Sequence, residues 1–67
     1  MITLKINGEL SNLPEGTTVT GMLLRWKLVP ERVVIELNGT ILKRDSYTEI
    51  ILHTDDIVEI VQFVGGG

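Results

Sequence analysis

Ile57-Val58-Glu59-Ile60-Val61-Gln62-Phe63 runs without a break into Val64-Gly65-Gly66-Gly67. The first part is a strand-like apolar run, rich in the β-branched residues that favour a pleated, half-buried surface. The second part has almost no side chains. A final strand that leads directly into glycines predicts a sheet with a tail on its last strand, and the rest of the chain must supply that strand's partners.

Glycine lets other groups approach the backbone closely, so Gly65 and Gly66 can thread a narrow catalytic slot that any side chain would block. The chemical group then left at the tip is the α-carboxylate of Gly67. At neutral pH it is an anion and a poor electrophile, so nothing adds to it until another enzyme activates it. Activation with ATP gives an acyl-adenylate, which a sulfur nucleophile converts to a terminal thiocarboxylate, with protein as the substrate of acyl transfer. The reading divides the chain into a folded domain over residues 1–63 and a flexible tail over residues 64–67. An ordinary frayed end or a linker is the competing reading of the same residues.

Sixty-seven residues make one small domain, near the lower limit of what folds alone. With no cysteine, neither disulfides nor a cysteine metal site can staple it, so the 43% hydrophobic content has to be used efficiently, as a sheet wrapped on one helix. The missing thiol also excludes a carrier that holds sulfur on its own cysteine, but not one that holds it on a terminal carbonyl. A formal charge of −3 and no basic cluster larger than Lys43-Arg44 argue against nucleic acid or an anionic membrane, and mildly for a basic protein partner. No apolar run approaches a membrane span and no signal-peptide pattern opens the chain, which makes the cytoplasm the expected location.

Ile2, Leu4 and Ile6 alternate with polar residues on one face of a first strand. Asn7-Gly8 is a strong hairpin signal, with Glu9 to Leu13 as the return strand. Pro14-Glu15-Gly16 breaks the pattern. Thr17 or Thr18 is placed to cap a helix running to about Lys27, whose Val19, Met22, Leu23 and Trp26 share a face and are read as core. Gly21 within it is costly against alanine and suggests close packing on the sheet. Arg25 and Lys27 suit the negative end of the helix dipole, and Pro30 ensures the stop. Val33 to Leu37 is another strand, closed by Asn38-Gly39 and followed by Ile41-Leu42. Lys43 to Tyr47 reads as a polar bend with a helical turn started by Asp45, Glu49 to Leu52 as a short extended piece, and His53 to Asp56 as a turn into the last strand. The first and last strands are expected to lie parallel at the centre of a mixed sheet, with the helix covering one face.

That order, hairpin, helix, strand and a strand ending in Gly-Gly, resembles the β-grasp roll of ubiquitin-like proteins, an α+β fold with a mixed sheet packed on one helix. Within it the chain resembles the ThiS family, the sulfur carriers of thiamine biosynthesis, through Glu36-Leu37-Asn38-Gly39, Arg44 with Tyr47, and Asp56 to Gly67. The resemblance implies that Gly67 is adenylated by a ubiquitin-activating-like adenylyltransferase using ATP and magnesium, thiolated from a sulfur donor such as a cysteine desulfurase, and used by thiazole synthase. No cofactor is expected on the carrier itself. Two places depart from the family pattern: Asp55-Asp56 stands where Gly-Asp is usual in the turn before the last strand, and Gly21 stands where acidic residues or alanine are expected.

His53, Asp55 and Asp56 could form a metal or acid–base cluster, but a turn in which aspartate side chains bond nearby main-chain N–H groups is the simpler reading. With no second histidine, no cysteine and no paired serine, no catalytic residue is expected: the protein is a substrate and carrier, not an enzyme. Strand parity offers more. If Val58 and Ile60 face the helix, then Glu59, Val61 and Phe63 face away, with Val34 and Glu36 beside them. Val34, Glu36, Glu59, Val61 and Phe63, continued by Val64, form the expected docking surface for a partner with basic and apolar residues. A carrier for molybdopterin, cysteine or another sulfur pathway, a ubiquitin-like modifier of lysines, and a plain binding module remain as alternatives, since the chemistry at Gly67 is shared.

Overall fold

A computed structural model describes residues 1–63; Val64, Gly65, Gly66 and Gly67, and with them the tail expected there, lie outside the described residues. The two Asn-Gly pairs adopt the left-handed backbone of type I′ turns, with φ of 51° and 84° at Asn7 and Gly8 and of 51° and 87° at Asn38 and Gly39. The first joins β1 (Ile2–Ile6) to β2 (Glu9–Leu13), and the second joins β3 (Val33–Leu37) to β4 (Thr40–Ile41).

Between these two hairpins lies β5 (Ile57–Gln62). It runs parallel to β1, with Lys5 beside Ile57 and Ile6 beside Val58, and antiparallel to β3, from Val33 opposite Gln62 to Leu37 opposite Val58. The order across the mixed sheet is β2-β1-β5-β3-β4, with the first and last strands together as expected. A parallel neighbour cannot be reached by a tight turn, and the long connection from β1 to β5 includes the one α-helix, α1 (Val19–Arg25).

Helix α1 buries Val19, Met22 and Leu23 completely, in one cluster with Ile2, Leu4 and Ile6 of β1, Leu13 of β2, Val33 and Ile35 of β3, Val58 of β5, and Tyr47 and Leu52 of the connection. All are apolar apart from the Tyr47 hydroxyl, which sits 3.5 Å from the Val33 carbonyl. Fully burying such a side chain is worth about 1.5–3 kcal/mol, and a chain this short needs every one of them.

The helix start needs tertiary partners. The first N–H groups of a helix have no acceptor within it. Here the Thr18 Oγ1 accepts from Gly21 N–H at 3.0 Å, while Val19 and Thr20 N–H donate to the carbonyls of Ile50 and Tyr47, both at 3.0 Å. Leu52 N–H donates in return to the Thr17 carbonyl at 2.9 Å. In the stretch expected as an extended piece over Glu49 to Leu52, Glu49 belongs to a turn and Ile51 forms an antiparallel bridge with Thr18, and this short pairing caps the start of α1.

Three local expectations are corrected. The helix ends at Arg25, and Trp26 is its C-cap, 43% exposed where the spacing placed it in the core. Lys27, at φ 57°, reverses the chain: its N–H donates to Leu24 C=O at 3.1 Å and the Leu28 N–H to Leu23 C=O at 2.9 Å. This is a Schellman stop that sends Leu28, rather than Trp26, against the core. Gly21 does not pack closely on the sheet, since a Cβ there would meet only Thr18 Oγ1 at 3.4 Å and Thr17 Cγ2 at 3.5 Å. The turn attributed to Asp45 is a 3-10 turn over Arg44–Ser46 with Lys43 as its cap.

Candidate functional site

The site is the face of the sheet that α1 leaves uncovered, where it borders the end of β5. Period-2 alternation places Val58 and Ile60 toward the core, Val58 fully buried and Ile60 packed against the cluster. Glu59, Val61 and Phe63 point the other way; Val61 is 56% and Phe63 57% exposed. The register sets Val34 opposite Val61 and Glu36 opposite Glu59, so four of the expected docking residues form two cross-strand pairs. Phe63 follows at the tail end, held to Arg32 C=O through its own N–H at 2.9 Å. Val34 and Glu36 are half-buried. The remaining expected site residues, Val64, Gly65, Gly66 and Gly67, lie outside the described residues.

Two residues join this face that sequence reading passed over. Ile41 of β4 pairs with Glu36 and is 67% exposed; Ile57 shares the parity of Glu59 and is 52% exposed. Ile57 was legible from the same alternation as Phe63, whereas Ile41 depended on how the β3–β4 hairpin closes. The carboxylates of Glu36 and Glu59 thus stand opposite one another with Val34, Val61 and Ile41 as their registered outer-face neighbours, an arrangement in which like charges are destabilising by a few tenths of a kcal/mol to about 1 kcal/mol. At the other end of the face a shallow groove of about 160 Å³ opens between Lys5, Leu10, Asp55, Asp56 and Ile57.

Residues of the family-like motifs away from the tail have structural work. Arg44 Nε donates to Pro30 C=O at 2.9 Å and its Nη2 to Val33 C=O at 3.4 Å, tying the 3-10 turn to the start of β3. Asn38 holds the start of β5: its Oδ1 accepts from Ile57 N–H at 2.8 Å and its Nδ2 donates to Asp56 Oδ1 at 3.0 Å. Asp56 Oδ2 accepts from His53 N–H at 2.8 Å, so this carboxylate organises the turn. Among the described residues no group of three His, Cys, Asp or Glu lies close enough to hold a metal. Asp55 takes φ 74°, the left-handed conformation that glycine adopts without cost, which explains how the turn is made without the usual glycine.

The ThiS family profile matches residues 4–67. A sulfur carrier protein ThiS from Bacillus subtilis is 35% identical over 65 residues, covering 96% of this chain and 98% of its own. A thiazole synthase from Magnetococcus marinus is 40% identical over 62 residues, which are 92% of this chain and 19% of that protein; the chain thus spans about a fifth of the length of that relative. The crystal structure of a thiamine biosynthesis protein (ThiS) from Geobacter metallireducens superposes with a TM-score of 0.82 at 35% identity, covering 98% of this chain and all of that one. The five-stranded sheet on one helix is accordingly the β-grasp fold, and the chain belongs to the ThiS family.

Proposed function

We propose that this chain is a sulfur carrier of thiamine biosynthesis whose Gly67 carboxylate is adenylated and then converted to a thiocarboxylate that donates sulfur for thiazole formation. The observation that carries the reading is that the central strand, β5, delivers the chain to Val64-Gly65-Gly66-Gly67 alongside an exposed acidic and apolar face, in a protein with no cysteine on which sulfur could otherwise ride. The chain's own part is to present and be modified; it acts as substrate and carrier, not as an enzyme. Gly65 and Gly66 thread the partner's active site, while Val34, Glu36, Glu59, Val61, Phe63 and Val64 dock on it.

The activating partner is an adenylyltransferase of the ubiquitin-activating type, which supplies ATP and magnesium from its own site. The sulfur comes from a donor such as a cysteine desulfurase. Thiazole synthase is the acceptor, a partnership supported by the relatives that carry the thiazole synthase name and contain a stretch like this chain as a fifth of their length. The cytoplasm is the proposed location; among the described residues no helix is long and apolar enough to cross a membrane.

Incubation of the chain with its own cell's adenylyltransferase, ATP, magnesium and a sulfur donor tests the proposal by intact-mass spectrometry. One oxygen is expected to be replaced by one sulfur, with the change mapping to Gly67. Replacing Gly66 with valine, or adding a bulky residue after Gly67, is expected to abolish it. A chain that no such enzyme adenylates or thiolates would be an inert binding module, and a chain found joined to lysines would be a modifier.

A further inference from the structure

We infer that the exposed end of α1 and the turn after it form a second docking surface, for an acidic sulfur donor, used while the adenylyltransferase holds the outer sheet face; the inference rests on the carrier reading above. The charges of the chain are segregated. Arg25, Lys27, Arg32, Lys43 and Arg44 are five of its six lysines and arginines, and all five are exposed. Arg25 ends α1, Lys27 follows the cap of that helix, and Arg32 ends a 3-10 turn over Pro30–Arg32. Arg44 brings its own turn beside that one through its bond to Pro30 C=O at 2.9 Å. Of the chain's nine aspartates and glutamates, only Glu31 and Asp45 fall among these residues, while Glu36 and Glu59 pair on the outer face of the sheet.

Three large apolar side chains are exposed within the same run: Leu24, Trp26 and Val29. Leu24 lies outside the buried set of α1, which is Val19, Met22 and Leu23. Trp26 stays outside because the stop at Lys27 turns Leu28 against the core in its place. Basic residues at the end of a helix complement its dipole, which accounts for Arg25 and Lys27 but not for Arg32 or for the apolar residues between them. A run of exposed apolar side chains edged by charge marks an interaction site, and Trp and Arg are among the residues that most often carry the affinity of one.

What fits this surface is set by its charge. It has the opposite sign to the outer face, so the acidic partner that it attracts is repelled by Glu36 and Glu59, and the basic partner of the outer face is repelled here. The two surfaces therefore take different proteins. Because α1 and the outer face lie on opposite sides of one sheet, both proteins can be held at once. Of the partners in the carrier reading, the sulfur donor is the one that must meet the chain while the adenylyltransferase still holds it. An acyl-adenylate is a mixed anhydride, and it survives only where the enzyme excludes water. Thiazole synthase takes the chain afterwards, when the outer face is free again.

Calorimetric titration of a cysteine desulfurase of the same cell into the complex of the full chain with its adenylyltransferase tests the inference. The desulfurase is expected to bind without displacing the adenylyltransferase, and more weakly as salt is raised. Trp26→Ala is expected to weaken that binding at least tenfold, and Arg25→Gln combined with Lys27→Gln about threefold to tenfold. ATP–pyrophosphate exchange, the measure of adenylation, is expected to be unchanged in both variants. Three results overturn the second surface and leave the carrier reading standing: unchanged desulfurase affinity in both variants, displacement of one enzyme by the other, or no desulfurase binding to a wild-type complex that still adenylates Gly67. Loss of thiazole synthase binding instead of desulfurase binding overturns the choice of occupant. A wild-type chain that is never adenylated overturns the inference and the carrier reading together. If Trp26→Ala does not fold, the variant of the exposed Arg25 and Lys27 decides.

Discussion

The side-chain amide of Asn7 closes on the main chain of Ile60 from both directions, accepting from its N–H at 2.7 Å and donating to its C=O at 3.4 Å. Asn7 is also the first residue of a type I′ turn, at φ 51°, so one residue sets the β1–β2 hairpin and stitches it to the strand that leads to the tail. Asn7→Gly keeps the left-handed turn but removes the stitch, and is expected to cost about 1–2 kcal/mol for two hydrogen bonds. Asn7→Ala adds the left-handed penalty and is expected to cost about 1 kcal/mol more. Urea unfolding of the two variants checks the order; equal stability of wild type and Asn7→Gly would show that the stitch contributes nothing.

Lys27 occupies the position after the C-cap of α1 at φ 57°, where glycine is favoured. Its main-chain N–H makes the stop bond, and its side chain is exposed. Lys27→Gly is therefore expected to stabilise the fold by about 0.5–1 kcal/mol, read as a rise in the denaturation midpoint at unchanged slope.

Gly21 lies in the first turn of α1, and only the side chains of Thr17 and Thr18, just before the helix, approach its Cβ position. Gly21→Ala is expected to raise stability by about 0.5–1 kcal/mol. A loss of stability on thermal unfolding would mean that Thr17 and Thr18 cannot yield at 3.4–3.5 Å.

Val61 and Phe63 are more than half exposed, whereas Leu23 is fully buried. Phe63→Ala and Val61→Ala are expected to leave the unfolding midpoint nearly unchanged and to weaken binding to the adenylyltransferase, at Phe63 by about 2 kcal/mol or more. Leu23→Ala is expected to cost about 2–5 kcal/mol of stability. Calorimetric titration that shows unchanged binding for both surface variants would remove the docking role from this face.

Glu36 and Glu59 stand opposite one another, so reversing one charge acts on stability and docking in opposite senses. Glu36→Lys converts a repulsive cross-strand pair into an attractive one and is expected to stabilise the isolated chain by a few tenths of a kcal/mol to about 1 kcal/mol. The same change places a cation against a partner expected to be basic, and is expected to slow association, most strongly at low salt. Faster association with the adenylyltransferase would show that its docking surface is not basic.

Much of the architecture was legible because it depends on consecutive residues. The two Asn-Gly turns are fixed by which residues tolerate positive φ, the faces of β1 and β5 by alternation, the helix start by the Thr18 hydroxyl, and the central parallel pair by the need for a long crossover. The outward parity of Glu59, Val61 and Phe63 was legible in the same way. What the sequence could not decide rests on residues far apart in the chain. The Asn7–Ile60 stitch spans 53 positions and the Asn38–Ile57 stitch 19, and each exists only because β5 enters between two hairpins at one register. Trp26 has the spacing of a core residue, yet the Schellman stop at Lys27 gives the inner position to Leu28. Ile41 joins the outer face only through its pairing with Glu36. Turn chemistry and periodicity act within a few residues, while register and the termination of one strand against another are settled only when the whole sheet packs on its helix.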